Sequence, residues 1–253
     1  MKRERIDKVL VDLGLAESRT RAQALVMAGA VLVDEQRVSK PSQLFNPEAN
    51  IRIKAGAEGR YVSRGGLKLE AALREFQLAV SGAVCLDVGA STGGFTDCLL
   101  QNGAARVVAI DVGHNQIDWR LRNDPRVELR EGVNARYLSG EDFPDRFDFI
   151  TIDVSFISAT RILPAVTPLL AQAGRIITLI KPQFEVGKGE VGKGGIVKDP
   201  EQHQRVIAEV NHAAEALGLK VCGLTESPIK GAEGNVEFLA LYGGQGVARA
   251  SRP

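Results

Sequence analysis

Two lysines and two carboxylates stand where charge is out of keeping with its surroundings. Asp153 follows the apolar run FDFITI, Lys181 follows RIITLI, Glu237 opens VEFLALYG, and Lys68 lies on a helical stretch ahead of the first apolar strand. Charges embedded at the ends of buried runs need partners or a task. A parallel sheet would bring such strand ends together, so the four form a candidate catalytic constellation; four structural ion-pair residues are the competing reading.

A second locus is a glycine-bearing turn. LDVG runs into Ala90, Ser91, Thr92, Gly93, Gly94 and Phe95, after which a helix begins, and the next strand ends in Asp111. In an open α/β sheet a ligand sits beyond the carboxyl ends of the strands, and glycines let it approach the backbone. A carboxylate at the end of the second strand suits ribose hydroxyls. A dinucleotide fingerprint would read G-x-G-x-x-G, whereas this turn reads G-A-S-T-G-G, which disfavours a pyrophosphate. S-adenosylmethionine has none, and Asp87, Gly89, Gly93 and Asp111 fit its needs. A bare tight turn is the alternative. The later stretch GKGEVGKG resembles a phosphate-binding loop but lacks the Ser or Thr after its last lysine, so nucleotide hydrolysis is not indicated. Lys188 within it is expected on a basic lid over RNA or on a plain surface loop.

These residues require a frame. Strands are predicted at AVCLDVG, RVVAIDVG, RVELREG, FDFITIDV, GRIITLIKP, KVCGLTE and VEFLALYG, with helical patterns between most of them and a helix over 66–76 ahead of the first. That alternation argues for an α/β fold with a mostly parallel, seven-stranded sheet covered by helices on both faces. The last two strands are joined by SPIKGAEGN with no crossover helix, which permits an antiparallel hairpin. The tail GGQGVARASRP is expected to be disordered.

The front end is different. Ile6, Val9, Leu10 and Leu13 share a helical face closed by Gly14; Ser18 caps a second helix through Ala22, Leu25 and Val26 that ends at Gly29. A strand, a polar turn at 34–36, a short extended piece and the strand NIRIK complete a small α+β module. AGAEGRY looks like its boundary, which gives domains at 1–59 and 65–253 with a linker at 60–64. Residues 1–60 hold 11 Lys and Arg against 8 Asp and Glu in a chain of net charge +1, a weak pointer to nucleic acid. Cys85, Cys98 and Cys222 share no short spacing with each other or with His114, His203 and His212, so neither a disulfide nor a metal site is expected. No apolar run approaches the roughly 18 residues of a membrane helix, the N-terminus lacks a signal-peptide core, and a cytoplasmic location is expected.

The order Lys68, Asp153, Lys181, Glu237 resembles the K-D-K-E tetrad of FtsJ-like ribose 2′-O-methyltransferases. The whole chain resembles the TlyA, or hemolysin A, family through RIDKVLVDLGLAESRTRAQALVMAGAVLVD, YVSRGGLKLEAAL, LDVGASTGGFTDCLL, AIDVG, TIDVSFIS, LIKPQFE and GNVEFL, which together span most of residues 1–241. One departure is Tyr61, where family members often carry a tryptophan. The resemblance implies a Rossmann-like S-adenosylmethionine-dependent methyltransferase preceded by an S4-like RNA-binding domain, acting on a cytidine ribose in ribosomal RNA, 23S first and 16S second. Lys181 would serve as base, Lys68 as neighbouring cation, and Asp153 and Glu237 as orienting carboxylates. Ser91, Thr92, Gly94 and Phe95 would complete the cofactor turn and Asn134 would meet the adenine edge. Arg3, Arg5, Arg19 and Arg21 on the two helices, with Lys40 on the following strand, would bind phosphates. Phe156 would stack on a flipped base or pack in the core. Ribosomal RNA or subunits are the expected partner, with no membrane; a monomer on RNA is compatible with the pattern. A non-catalytic assembly factor and a membrane-acting hemolysin are the rival readings.

Overall fold

The computed structural model describes residues 3–16, 18–27, 29–53, 60–187, 189–192 and 194–244. The chain divides into two compact units, Met1–Gly59 and Arg60–Pro253.

In the first unit, β1 (Glu4–Arg5) leads into α1 (Ile6–Asp12) and α2 (Arg19–Met27) follows, with the Ser18 Oγ accepting the Arg21 amide at 3.1 Å as an N-terminal cap. β2 (Val31–Val33) pairs antiparallel with β3 (Gln36–Arg37) and β5 (Ile51–Ile53), and β4 (Leu44–Phe45) pairs with β1. Ile6, Leu10, Ala22, Val26, Val31 and Val33 fill the core between helices and strands. Asp34 and Glu35 both take positive φ, 48° and 65°, which makes a two-residue hairpin turn and returns Gln36 to the strand. Leu13 falls off the buried face at 49% exposure because α1 stops at Asp12. Lys40 lies in the connection between β3 and β4, not on a strand.

In the second unit β6 (Val84–Val88), β7 (Arg106–Asp111), β8 (Val127–Glu131), β9 (Phe147–Ile152), β10 (Leu170–Ile180), β11 (Leu219–Glu226) and β12 (Phe238–Gly244) form one sheet in the order β11-β12-β10-β9-β6-β7-β8. β12 is antiparallel to both neighbours, and the β6–β10 pairings are parallel. Strand residues alternate between two cores, as period-2 side chains must when both faces are covered. Cys85, Val107, Phe149, Ile177 and Leu179 meet α3 (Gly65–Glu75), α4 (Gly94–Gln101) and Leu121 of α5 (Trp119–Arg122). Leu86, Ile110, Ile150, Ile176 and Ile180 meet Leu163 of α6 (Leu163–Val166) and Val206 and Val210 of α8 (Pro200–Ala216); the short α7 (Pro182–Glu185) follows β10.

The segment expected as a linker, 60–64, packs into this unit: Tyr61 and Val62 are 3% and 7% exposed. An aromatic and a β-branched side chain lose too much apolar burial if left in water. Most of the Gly/Ala-rich boundary stretch and all of the tail beyond Gly244 lie outside the described residues, while Gly243 and Gly244, expected in the tail, end β12.

Candidate active site

β6 is flanked by β7 on one side and β9 on the other, so the strand order reverses there and a crevice opens beyond the carboxyl ends. Pairing of Val88 with Ile152, Ile152 with Thr178 and Ile180 with Phe238 carries Gly89, Asp153, Lys181 and Glu237 to that one rim. Lys68 reaches it from α3 and ion-pairs with Glu237. Lys181 Nζ lies 2.6 Å from Asp153 Oδ1 and donates to Ser155 Oγ at 2.9 Å. Lys68 and Lys181 are 9% exposed and Glu237 2%, so each buried side chain lies against one of opposite charge type. Lys68 and Asp153, one from each pair, face the same cavity.

Two cavities share Gly89, Ser91 and Asp153 as a common wall. The larger, about 580 Å³, is floored by Ile110, Val133 and Ile162 and edged by Asp111 and Asn134. The smaller, about 250 Å³, lies between Thr92, Gly94 and Phe95 on one side and Arg64, Lys68 and Lys230 on the other. Asp111 is fixed by the amides of Ser91 and Gly113, each at 2.7 Å, and Asn134 caps a turn by accepting the Arg136 amide at 3.2 Å.

The glycines serve distinct ends. At Gly89, φ is +86° and a Cβ would sit 2.4 Å from the Asp153 carbonyl oxygen, so the close approach of β6 to β9 requires glycine. A Cβ on Gly94 would meet the Gly66 nitrogen at 2.9 Å; glycine there lets the amino ends of α3 and α4 touch beside the smaller cavity. At Gly93, φ is +94° and a Cβ would strike Leu121 at 2.2 Å, so packing against α5 also calls for glycine there.

Asp87 departs from the expected role. Its side chain is fully buried, accepting the hydroxyls of Thr96 at 2.7 Å and Thr151 at 2.8 Å, and burial pushes its carboxyl up to about 6. It braces β6 against β9 and α4 rather than edging either cavity. Phe156 is 92% exposed with φ +63°, which removes core packing as its purpose, and its ring lies 5.1 Å from that of Phe184. Ser155, Arg64 and Lys230 join the site from loops and Phe184 from the short α7, and sequence spacing gives no signal for them beyond the two-residue offset of Ser155 from Asp153.

In the first unit Arg3 and Lys40 are exposed and Arg21 is half-buried. Arg5 and Arg19 converge on Asp7, a carboxylate with no exposure: Arg5 grips it with both ends of its guanidinium at 3.0 and 2.8 Å, Arg19 approaches to 3.2 Å and Gln23 donates at 2.9 Å. The Arg5 hydrogen bonds hold the Asp7 carboxyl far below the usual carboxylate range. The two arginine side chains as a whole remain 44% and 58% exposed. Lys188 lies outside the described residues.

A seven-stranded sheet with an antiparallel β12, a glycine turn after its first strand and an acidic residue closing the second define a Rossmann-like S-adenosylmethionine-dependent methyltransferase. Residues 61–243 match the FtsJ-like methyltransferase model and residues 4–51 the S4 domain model. The 16S/23S rRNA (cytidine-2′-O)-methyltransferase TlyA of Mycobacterium tuberculosis is 46% identical over 237 residues, 94% of this chain and 88% of that one. Hemolysin A of Brachyspira hyodysenteriae is 44% identical over 239 residues, covering 94% and 99%. A solved structure of a hemolysin-named protein from Streptococcus thermophilus has a TM-score of 0.76 at 45% identity, covering 97% of this chain and 90% of that one. The chain belongs to the TlyA/hemolysin family, in which an S4 domain precedes an FtsJ-like methyltransferase domain.

The cofactor of that class is S-adenosylmethionine, and the site fits it. The cavity beside Asp111 offers a fixed carboxylate for ribose hydroxyls over an apolar floor, and Gly89 stands in the wall the two cavities share. Among the described residues, no helix is long and apolar enough to cross a membrane, and no group of His, Cys, Asp and Glu is placed to hold a metal ion.

Proposed function

We propose that this chain methylates the 2′-hydroxyl of a cytidine ribose in ribosomal RNA, 23S first and 16S second, in the cytoplasm. The observation that carries the reading is the gathering of two lysine–carboxylate pairs at one rim of the sheet, beside the cavity that Gly89 and Asp111 shape.

A ribose hydroxyl is a weak nucleophile and must lose its proton as it attacks. Bound S-adenosylmethionine supplies a methyl group made electrophilic by its sulfonium. Asp111 would hold the cofactor ribose and Asn134 the adenine edge. Gly89, Ser91, Thr92, Gly94 and Phe95 would cradle the amino-acid portion, with Arg64 facing its carboxylate. Lys181, once it has released its own proton to solvent, takes the proton of the substrate hydroxyl on the lone pair of Nζ, and Asp153 and Ser155 hold that nitrogen in place. Lys68, fixed by Glu237, sets a second positive charge where negative charge develops on oxygen. Phe156 offers an open aromatic face to a displaced base, a contact worth about 1–3 kcal/mol. Arg3, Arg5, Arg19, Arg21 and Lys40 of the first unit meet phosphates, which positions the RNA without reading its sequence.

Methyl transfer from tritiated cofactor to 30S subunits, 50S subunits and naked ribosomal RNA tests this reading. Label enters at least one of them with the native chain, and Lys181→Ala abolishes transfer while calorimetry shows cofactor binding unchanged. Undiminished turnover in that variant would remove Lys181 from the mechanism.

A further inference from the structure

Glu185 has no part in the chemistry above, yet it is tied to the same segment from the other end. The residue closes α7, and burial pushes its carboxyl above the usual range. Its Oε2 accepts the Ser158 hydroxyl at 2.5 Å and its Oε1 accepts the Ala159 amide at 2.8 Å. Those donors end the segment 153–159, which carries Asp153, Ser155 and Phe156. The beginning of that segment is gripped by Lys181, at 2.6 Å from Asp153 and 2.9 Å from Ser155. Lys181 is the N-terminal cap of α7 and Glu185 its last residue, so one turn of helix makes both clamps. Phe184 lies between them, its ring 5.1 Å from that of Phe156.

The segment needs such restraint. Phe156 has φ +63°, a conformation that strains a non-glycine residue and persists only where the surroundings over-determine it. Its own ring contributes little, being 92% exposed. Lys181 restrains residues before Phe156, and the carboxylate of Glu185 restrains residues after it.

We infer that Glu185 is a positioning residue for methyl transfer: through Ser158 and Ala159 it holds residues 153–159 so that Phe156 is presented outward and Asp153 and Ser155 stay on Lys181. This rests on the function proposed above. The alternative is a cap for the turn at Ala159–Arg161, which would contribute stability and nothing else.

The test uses full-length Glu185→Ala and Glu185→Gln with three readouts: kcat and KM for ribosomal subunits, Kd for S-adenosylmethionine, and amide hydrogen exchange over 154–159. In Glu185→Ala, kcat falls about 10- to 100-fold, as expected for a misplaced reacting group. Cofactor Kd stays within about twofold and exchange at 154–159 rises. Glu185→Gln keeps an oxygen acceptor and recovers part of kcat. A lower melting temperature with native kcat and native exchange would leave only a cap and overturn the inference, as would loss of cofactor binding together with kcat. Should Glu185→Ala not fold, Ser158→Ala, which deletes one of the two donors, is judged by the same criteria. If the native chain methylates no ribosomal substrate, the functional reading fails, and the exchange data still decide whether Glu185 holds the segment.

Discussion

Gly89→Ala is the substitution whose consequence follows most directly from the geometry. The new Cβ would stand 2.4 Å from the Asp153 carbonyl oxygen and 2.9 Å from its carbon. Carbon and carbonyl oxygen rest at about 3.3–3.6 Å, so the end of β9 must retreat by roughly 1 Å. Asp153 rides on that backbone, and its carboxylate meets Lys181 at 2.6 Å. A misplacement of that size costs on the order of 100-fold in rate when the displaced group orients the reaction. The φ of +86° adds strain of about 1–2 kcal/mol for an alanine. Gly82→Ala is the control, because Gly82 also has positive φ, +74°, but a Cβ there meets nothing within 4 Å. Steady-state methyl transfer and urea denaturation of both variants separate the effects: both lose stability, and only Gly89→Ala loses about two orders of magnitude in kcat/KM. Activity within about threefold of native in Gly89→Ala would refute the claim that Asp153 is held by the glycine contact.

Asp87→Asn should change how stability depends on pH. The folded carboxyl is raised to about 6 against about 3.9 unfolded, so its contribution is present below about pH 4 and lost as pH rises through 6, roughly 3 kcal/mol in all. Urea titrations at pH 4 to 7 should show the native chain losing stability relative to the variant over that window; a constant difference contradicts the buried brace. Glu237→Gln leaves the Lys68 ammonium buried beside a neutral amide and should cost about 3–5 kcal/mol, most of it restored by adding Lys68→Met; a double variant no more stable than the single one argues against an isolated pair. Arg19→Ala should weaken RNA binding and lower the slope of log affinity against log salt by about 0.7, the value for one phosphate on a single strand, as measured by filter binding; an unchanged slope removes Arg19 from the interface.

The sheet was legible because its strands are continuous apolar runs separated by helical periods, and the antiparallel β12 because SPIKGAEGN is too irregular for a crossover helix. The rim charges were legible because each ends or faces such a run. Their pairing was not, since sequence order says nothing of which lysine lies across which strand end. Asp87 read as a ligand residue because it sits at the right distance before Gly89, but its carboxylate is taken up by two threonine hydroxyls that no local pattern links to it. Gly93 likewise belongs to the expected turn while answering to Leu121, from a helix further along the chain. Asp7 gives no signal in the sequence because Arg19 and Gln23 come from the next helix. The linker reading of 60–64 followed the glycines before it and overlooked that Tyr61 and Val62 are side chains that seek burial.

The most direct test of the account is chemical: where the transferred methyl group resides. A 2′-O-methyl ribose cannot undergo alkaline cleavage at its own phosphodiester, whereas a methylated base leaves that bond labile. Ribosomal RNA labelled by the native chain with tritiated S-adenosylmethionine should therefore release its radioactivity on alkaline hydrolysis in a resistant dinucleotide. Label released as a mononucleotide would place the methyl group on a base and contradict the role assigned to Lys181 and its three companions.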